Sequence, residues 1–168
     1  MDGDQLREVQ APLKERYQTD AGAALITLHA HGALDDSEVS CSVQTGRALV
    51  EAGLHPATGG DGSLACSGDM LLQALVACAG VTLRSVAVNR GIEVRGTVFA
   101  DGDLDFRGTL GVDREAPVGF RSIRLRFDLE SAASEEDLAK LIATTERYCV
   151  VFQTLANGPE LSVSCDRR

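Results

Sequence analysis

Tryptophan is absent from this sequence, and aromatic residues account for only 4% of its 168 residues. The core must therefore be built from aliphatic side chains, and the chain is long enough to form one such core. We predict a single domain, 1–168, in which residues 1–20 form a polar N-terminal extension with a short helix after Pro12.

Basic residues are also scarce. The sequence has 16 Lys and Arg but 25 Asp and Glu, which gives a formal net charge of −9. Nucleic acids and anionic membranes attract basic surfaces, so we expect neither as a partner. The residues after Met1 are acidic and polar rather than apolar. No secretory signal is indicated, and we expect a cytoplasmic location.

The cysteines lack the spacing of disulfide frameworks and of zinc sites. Their number, five, is odd, and no Cys-x-x-Cys pair occurs. The three histidines do not cluster with them, so we expect no metal site. In a cytosolic protein a cysteine serves as core filler, redox group or catalytic group, and core filler is the commonest role. We interpret Cys41, Cys66 and Cys165 as core filler.

One long apolar segment dominates the chain. Residues 67–90 are compatible with a helix, and from Met70 to Leu83 only three residues interrupt the aliphatic, Ala, Met and Cys side chains. This run falls short of the roughly 20 residues that a bilayer requires. A helix that is apolar on every face must be buried on every face, so we predict a central core helix with Cys78 near its middle.

The remaining patterns predict an α+β fold in which long helices cover one face of an antiparallel sheet. Asp101-Gly102 is a typical hairpin turn sequence. Ser134-x-x-Asp137 is typical of a helix start, and Asn157-Gly158-Pro159 of a helix stop. The predicted strands are 24–31, 39–44, 47–51, 92–98, 104–110, 123–130 and 161–165.

Cys149 lies on the predicted inward stripe of the second long helix, eleven positions after Leu138. Eleven positions are almost three whole turns, so Cys149 faces the core if the helix continues that far. Both long helices must pack near the same sheet, which allows Cys78 and Cys149 to meet. They are either two core side chains or a pair of reactive thiols.

Several segments resemble the OsmC/Ohr family, the osmotically induced protein C and organic hydroperoxide resistance proteins. These segments are GRALVEAG, a glycine-rich loop, SGDMLLQALVACAGVTLRSVA and TERYCVVFQTL, and the resemblance covers roughly Cys41 to Val163. It implies an OsmC-like fold, in which a β-sheet wraps around two long central helices. It also implies an intertwined homodimer with active sites at the subunit interface.

The resemblance further implies reduction of organic hydroperoxides by a peroxidatic cysteine, Cys78, and a resolving cysteine, Cys149. Electrons would come from an external dithiol, often a lipoyl group, rather than from a bound cofactor. Family members activate the thiolate with an arginine held by a glutamate. Arg47, or else Arg16, is the candidate arginine, and Asp69 stands one position from the expected glutamate.

Two alternatives remain open at this stage. The absence of the glutamate favours an OsmC-fold protein without turnover, which binds a small apolar ligand or senses oxidation. Retention of both cysteines favours the enzyme. If the protein is an enzyme, Cys66 is a competing candidate for the resolving thiol.

Overall fold

The computed structural model describes residues 49–111 and 113–167, two earlier strands, and separate helical positions at 4, 5, 8, 11 and 19. The strands are β1 (His31–Leu34), β2 (Ser40–Gln44), β3 (Leu49–Gly53), β4 (Ala65–Cys66), β5 (Arg95–Asp103) and β6 (Ser122–Glu130). The helices are α1 (Ser67–Arg90), α2 (Phe106–Thr109), α3 (Glu135–Tyr148) and α4 (Val150–Ala156), with a 3₁₀ turn at Pro56–Thr58.

The described strands form two sheets. One has the order β1-β2-β3-β4, with antiparallel pairs except for β3 and β4, which run parallel. The other is the antiparallel pair β5-β6, nine residues long in each strand. The predicted α+β class is confirmed, whereas the predicted single antiparallel sheet is wrong within the described residues. The short β4 was missed because two residues carry no periodic signal.

Helix α1 has the bounds that the sequence predicts, and it buries one stripe. Leu75, Ala79, Leu83 and Ala87 are each at most 3% exposed, and they recur every fourth residue. Val81, on another face, is 72% exposed. The expectation that every face is buried is therefore not met within one chain, because the described elements cover α1 on one side.

The expectation that this segment is too short for a bilayer is also wrong. The 24-residue helix is long and apolar enough to cross a membrane by length and composition. It extends beyond the counted run because Val86, Ala87 and Val88 continue the apolar pattern after Leu83. The same length and composition are typical of a core helix, and the buried stripe of α1 packs against protein.

The predicted hairpin turn at Asp101-Gly102 is wrong. Both residues lie inside β5, where they pair with Arg124 and Ile123 of β6. A Cβ at Gly102 would lie 2.4 Å from the Phe120 ring, so the glycine permits a close approach rather than a turn. In this case tertiary packing overrides a local turn signal.

The strand predicted over 104–110 is also wrong, because this segment contains the short helix α2. Asp105 begins the helix, and its side chain accepts a hydrogen bond from the Arg107 backbone N–H at 3.2 Å. Alternating polarity over so few residues does not distinguish a strand from a capped helical turn.

Several other predictions in the described chain are confirmed. The strand over 123–130 is β6, and the strand over 39–44 is β2. Helix α3 starts after Ser134, whose side chain accepts a hydrogen bond from the Asp137 N–H at 3.1 Å, and α4 ends before Asn157. The strand predicted over 47–51 lies at Leu49–Gly53 as β3. The predicted strand over 24–31 and the helix after Pro12 lie almost wholly outside the described residues.

The strand predicted over 161–165 is not formed. This segment has no regular structure, with Leu161 85% and Val163 99% exposed. Neither of the two described sheets includes it. An alternating pattern gives the propensity for a strand, but a strand requires a neighbour to pair with.

Two hydrophobic clusters hold α1 against the β5-β6 sheet, α3 and α4. The first contains Leu83, Ala87, Val94 and Leu141. The second contains Leu75, Ala79 and Cys149, with side chains of β5, β6 and α4 packed against it. The second cluster lies at the middle of α1, so it brings the two cysteines into one region.

Candidate functional site

Cys149 separates two helices rather than extending one. Its backbone is extended, with φ −74° and ψ 106°, so α3 ends at Tyr148 and α4 begins at Val150. Its N–H donates to the Thr145 carbonyl at 2.9 Å, and its carbonyl accepts from the Gln153 N–H at 2.9 Å. These two bonds fix Cys149 at the junction, where it is fully buried.

The two cysteines meet in the second cluster although they stand 71 positions apart in the sequence. Cys78 is half-buried on α1, and it packs at the edge of the group that contains Cys149. Cys149 is close enough to act on its partner, since as a hydrogen-bond donor it lowers the pKa of Cys78. Both thiols are free, so the site holds a reduced pair in contact.

The surroundings of Cys78 favour its thiolate. Burial raises the pKa of Cys78, but the backbone N–H groups of Val151 and Val150, the Cys149 thiol and the Thr82 hydroxyl lower it, and the net pKa lies below its ordinary value. A thiolate that accepts several hydrogen bonds is stabilised relative to the thiol. The thiolate is the nucleophilic form of cysteine.

The surroundings of Cys149 have the opposite effect. Burial raises the pKa of the Cys149 thiol, the Phe152 and Val151 N–H groups lower it, and the neighbouring Cys78 raises it, so that the net pKa lies above its ordinary value. The pair is therefore asymmetric. Cys78 is the half-buried, more acidic member, and Cys149 is the buried member that keeps its proton.

The walls around the pair are apolar. They come from α1, β5, β6 and α4. The packed side chains are Leu75, Ala79, Val98, Ala100, Ile123, Leu125, Phe127, Val151 and Phe152. An apolar molecule is accommodated here more favourably than a small polar one.

The residues that the sequence assigns to thiolate activation are not brought to Cys78 by the described structure. Arg47 and Arg16 lie outside the described residues. Asp69 is exposed in the first turn of α1, and it makes no hydrogen bond or ion pair with the described residues. It precedes Cys78 by nine residues, about 13 Å along the helix and on its opposite side. Their activating roles stay predictions.

The structure adds groups that sequence reasoning did not assign. Val150 and Val151 act through backbone N–H groups, which side-chain patterns cannot indicate. Thr82 lies four residues after Cys78, one turn along α1, and this spacing is the signal that points to it. No group of three or more metal-binding side chains exists among the described residues.

The other cysteines lie apart from the pair. Cys66 is half-buried at the start of α1, twelve positions before Cys78. Cys165 is exposed, so its interpretation as core filler is wrong, because the strand expected to bury it does not form. The side chain of Cys41 lies outside the described residues.

A groove of about 1260 Å³ lies between the second half of α1 and the ends of β5 and β6. Its lining includes Gly80, Leu83, Arg84, Val94 and Leu129, and it contains neither cysteine of the pair. The groove borders the exposed face of α1 that carries Val81.

The fold and the buried thiol pair together define an α+β domain with a candidate two-cysteine redox site. A family model described as OsmC-like protein matches residues 60–164. The chain belongs to this family. No curated protein shows significant similarity to the chain.

Solved structures with the same fold include three bacterial proteins. An OsmC-like protein from Mycoplasma pneumoniae has a TM-score of 0.65 at 19% identity, covering 79% of this chain and 89% of that protein. An organic hydroperoxide resistance protein OsmC from Legionella pneumophila has a TM-score of 0.58 at 15% identity, covering 79% of this chain and 91% of that protein. The organic hydroperoxide resistance protein OhrB of Bacillus subtilis has a TM-score of 0.53 at 15% identity, covering 79% of this chain and 93% of that protein. At these identities the likeness establishes the fold.

Proposed function

We propose that this protein is a cysteine-based peroxidase that reduces alkyl or lipid hydroperoxides, with Cys78 as the peroxidatic and Cys149 as the resolving cysteine. The observation that carries the proposal is the contact between the two thiols. Cys78 accepts the hydrogen bonds that favour a thiolate, and Cys149 is protonated beside it. Family membership and the names of two structural neighbours, both organic hydroperoxide resistance proteins, support a redox role.

Each half of the proposed cycle transfers two electrons, first from the thiol pair to the hydroperoxide and then from an external dithiol to the disulfide. The Cys78 thiolate attacks the terminal oxygen of the hydroperoxide, the O–O bond breaks, and the alkoxide takes a proton and leaves as an alcohol. Cys78 becomes a sulfenic acid. The Cys149 sulfur then attacks the Cys78 sulfur, the hydroxyl leaves with the Cys149 proton as water, and a disulfide forms.

An external dithiol would return the pair to its reduced form by two thiol–disulfide exchanges, becoming a disulfide itself. A lipoyl group is the dithiol we favour, on the family resemblance. This cycle requires no bound cofactor. We also propose a cytoplasmic location, where a reducing pool keeps such dithiols available.

In this proposal an arginine assists the Cys78 thiolate, with Arg47 preferred over Arg16. The described donors to Cys78 are neutral groups. A nearby cation would lower the pKa of the thiol further. Asp69, on the far side of α1, is assigned the role of holding that arginine rather than of touching sulfur.

We further propose that the protein is a homodimer that covers the exposed face of α1. Ala74, Ala77 and Val81 lie on this face, and all three are exposed within one chain. Large exposed apolar helix faces are typical of subunit interfaces. Light scattering at micromolar concentration is expected to give the mass of two chains. A monomer would contradict the intertwined arrangement.

The activity test compares two peroxides with a dithiol as reductant. Cumene hydroperoxide is expected to be consumed faster than hydrogen peroxide, because the walls around Cys78 are apolar. Cys78→Ser is expected to abolish consumption, since a serine hydroxyl is not ionised at neutral pH. Cys149→Ser should allow the first attack but leave a sulfenic acid that excess peroxide over-oxidises.

Cys165→Ser is the matched control, because Cys165 is exposed and apart from the pair. It should retain full activity. Equal or higher rates with hydrogen peroxide would contradict the apolar site. If neither peroxide is consumed, the protein is instead an OsmC-fold ligand binder or redox sensor.

A further inference from the structure

We propose that Thr82 is a positioning residue for the reactive sulfur, and that its hydroxyl alternates between the Cys78 carbonyl oxygen and the Cys78 sulfur as that sulfur loses its proton. This inference deepens the proposed function, because it names a further residue that prepares the same site. It concerns formation of the thiolate, so its test does not require turnover of peroxide.

The Thr82 hydroxyl contacts the Cys78 backbone and acts on the pKa of its thiol. Thr82 Oγ1 donates to the Cys78 carbonyl oxygen at 2.8 Å, one turn back along α1. The same hydroxyl also contributes a hydrogen bond to the Cys78 sulfur, which lowers the pKa of the thiol. A hydroxyl has one proton to donate, so it can serve only one of these acceptors at a time.

Alternation between the two acceptors costs little. The hydroxyl proton turns about the Cβ–Oγ bond, so the heavy atoms of Thr82 need not move. A carbonyl is a sufficient acceptor while Cys78 is a thiol, since a neutral sulfur is a weak acceptor. A thiolate is charged, and hydrogen bonds to charged groups are roughly twice as strong as neutral ones. Ionisation should therefore draw the hydroxyl to the sulfur, while the proton released by Cys78 passes to solvent.

Thr82 also supplies a hydrogen-bond donor to Cys78 in surroundings that are otherwise largely apolar. Apolar side chains of β5, β6 and α4 pack in the cluster that contains Cys78, and Cys149 is the titratable group that acts on the pKa of Cys78. Two of the other donors are backbone N–H groups. Apart from Cys149, which itself takes part in the redox chemistry, Thr82 is the described side-chain donor to Cys78 that substitution can remove.

The experiment measures the rate at which iodoacetamide alkylates Cys78 in the full-length reduced protein as a function of pH. Peptide mapping separates Cys78 from the other four cysteines. Thr82→Val keeps the shape of the side chain and removes the hydroxyl. We expect it to lower the rate at pH 7 about tenfold and to move the profile to higher pH. Thr82→Ser, which restores a hydroxyl, should return both toward the wild-type values.

Thr144→Val is the matched control. Thr144 makes the same bond to a carbonyl four residues back, Lys140, at 2.6 Å, on a helix that does not carry Cys78. It should leave the profile unchanged. Thr82→Ala provides a second hydroxyl-free variant if Thr82→Val does not fold, as judged by circular dichroism.

The inference is overturned if the hydroxyl-free variants keep the wild-type profile. It is also overturned if Thr82→Ser matches Thr82→Val, or if Thr144→Val shifts the profile equally, since the effect would then belong to the helix. A shifted profile in a protein that consumes no peroxide would refute the peroxidase proposal and leave the role of Thr82 intact.

Discussion

Oxidation of the thiol pair is expected to raise the thermal stability of the protein substantially. A Cys78–Cys149 disulfide would close a loop of 71 residues, and Cys149 already lies in contact with Cys78. In the chain-entropy model, such a loop stabilises the folded state by about 4 kcal/mol. For a chain of this size, each kcal/mol raises Tm by about 3 °C, so the expected increase is about 12 °C.

The assay treats the reduced protein with one equivalent of cumene hydroperoxide and compares melting curves before and after oxidation. Mapping under non-reducing conditions identifies the linked peptides. Cys149→Ser is the control, because it removes the bridge and should abolish the increase in Tm. An external dithiol should reverse the increase in the wild-type protein.

The melting curves and the peptide mapping test different claims. A bridge between Cys78 and Cys149 without an increase in Tm would show that closing the site strains the folded protein. Unlinked peptides in a protein that still consumes peroxide would remove Cys149 as the resolving residue and favour Cys66 or an external thiol.

Two further predictions concern the scaffold. Leu141→Ala should lower the free energy of unfolding by about 3 kcal/mol in chemical denaturation, because Leu141 is fully buried where α3 meets α1. Leu161→Ala, at a side chain that is 85% exposed, should change the free energy of unfolding little. Equal losses in the two variants would contradict this account of the core. Hydrogen bonds from Arg107 lower the pKa of Asp105 from 3.8 to about 2, so its stabilising effect should be present above about pH 4 and lost as pH falls towards 2. Wild-type protein and Asp105→Asn should therefore converge in stability as the solution is acidified, and a constant difference would contradict it.

The parts of the fold that the sequence predicts are those in which one long pattern decides the structure. Helix α1, strand β6 and the start of α3 at Ser134 each combine clear periodicity with a consistent boundary. The errors occur where a short pattern depends on a distant neighbour. Gly102 is required by Phe120, eighteen positions away, and no local signal carries that information.

The candidate site was also predictable from the sequence only in part. The positions of Cys78 and Cys149 on inward-facing stripes were predictable because burial follows periodicity. The walls from β5 and β6 were not, since the pairing of these strands was assigned wrongly. The face of α1 with Val81 was predicted to be buried but is exposed within one chain, because the apolar pattern of this helix does not say which faces the other elements cover.

The break at Cys149 explains why an inward stripe alone does not make a reactive site. In a continuous helix the Val150 and Val151 N–H groups would bind the carbonyls of Glu146 and Arg147. The break releases them from those carbonyls, and as hydrogen-bond donors they lower the pKa of Cys78 instead. The Gln153 side chain donates to the Glu146 carbonyl at 2.9 Å, so the acceptor that the break leaves is satisfied.

No glycine or proline marks this break, so the sequence pattern predicts a helix that passes through Cys149. Either backbone would bury the Cys149 side chain, and burial alone would raise the pKa of both thiols. Only the broken helix directs two backbone donors at Cys78 and makes one thiol of the pair more acidic than the other. The reactivity proposed for Cys78 therefore depends on the backbone at Cys149 as much as on its sulfur.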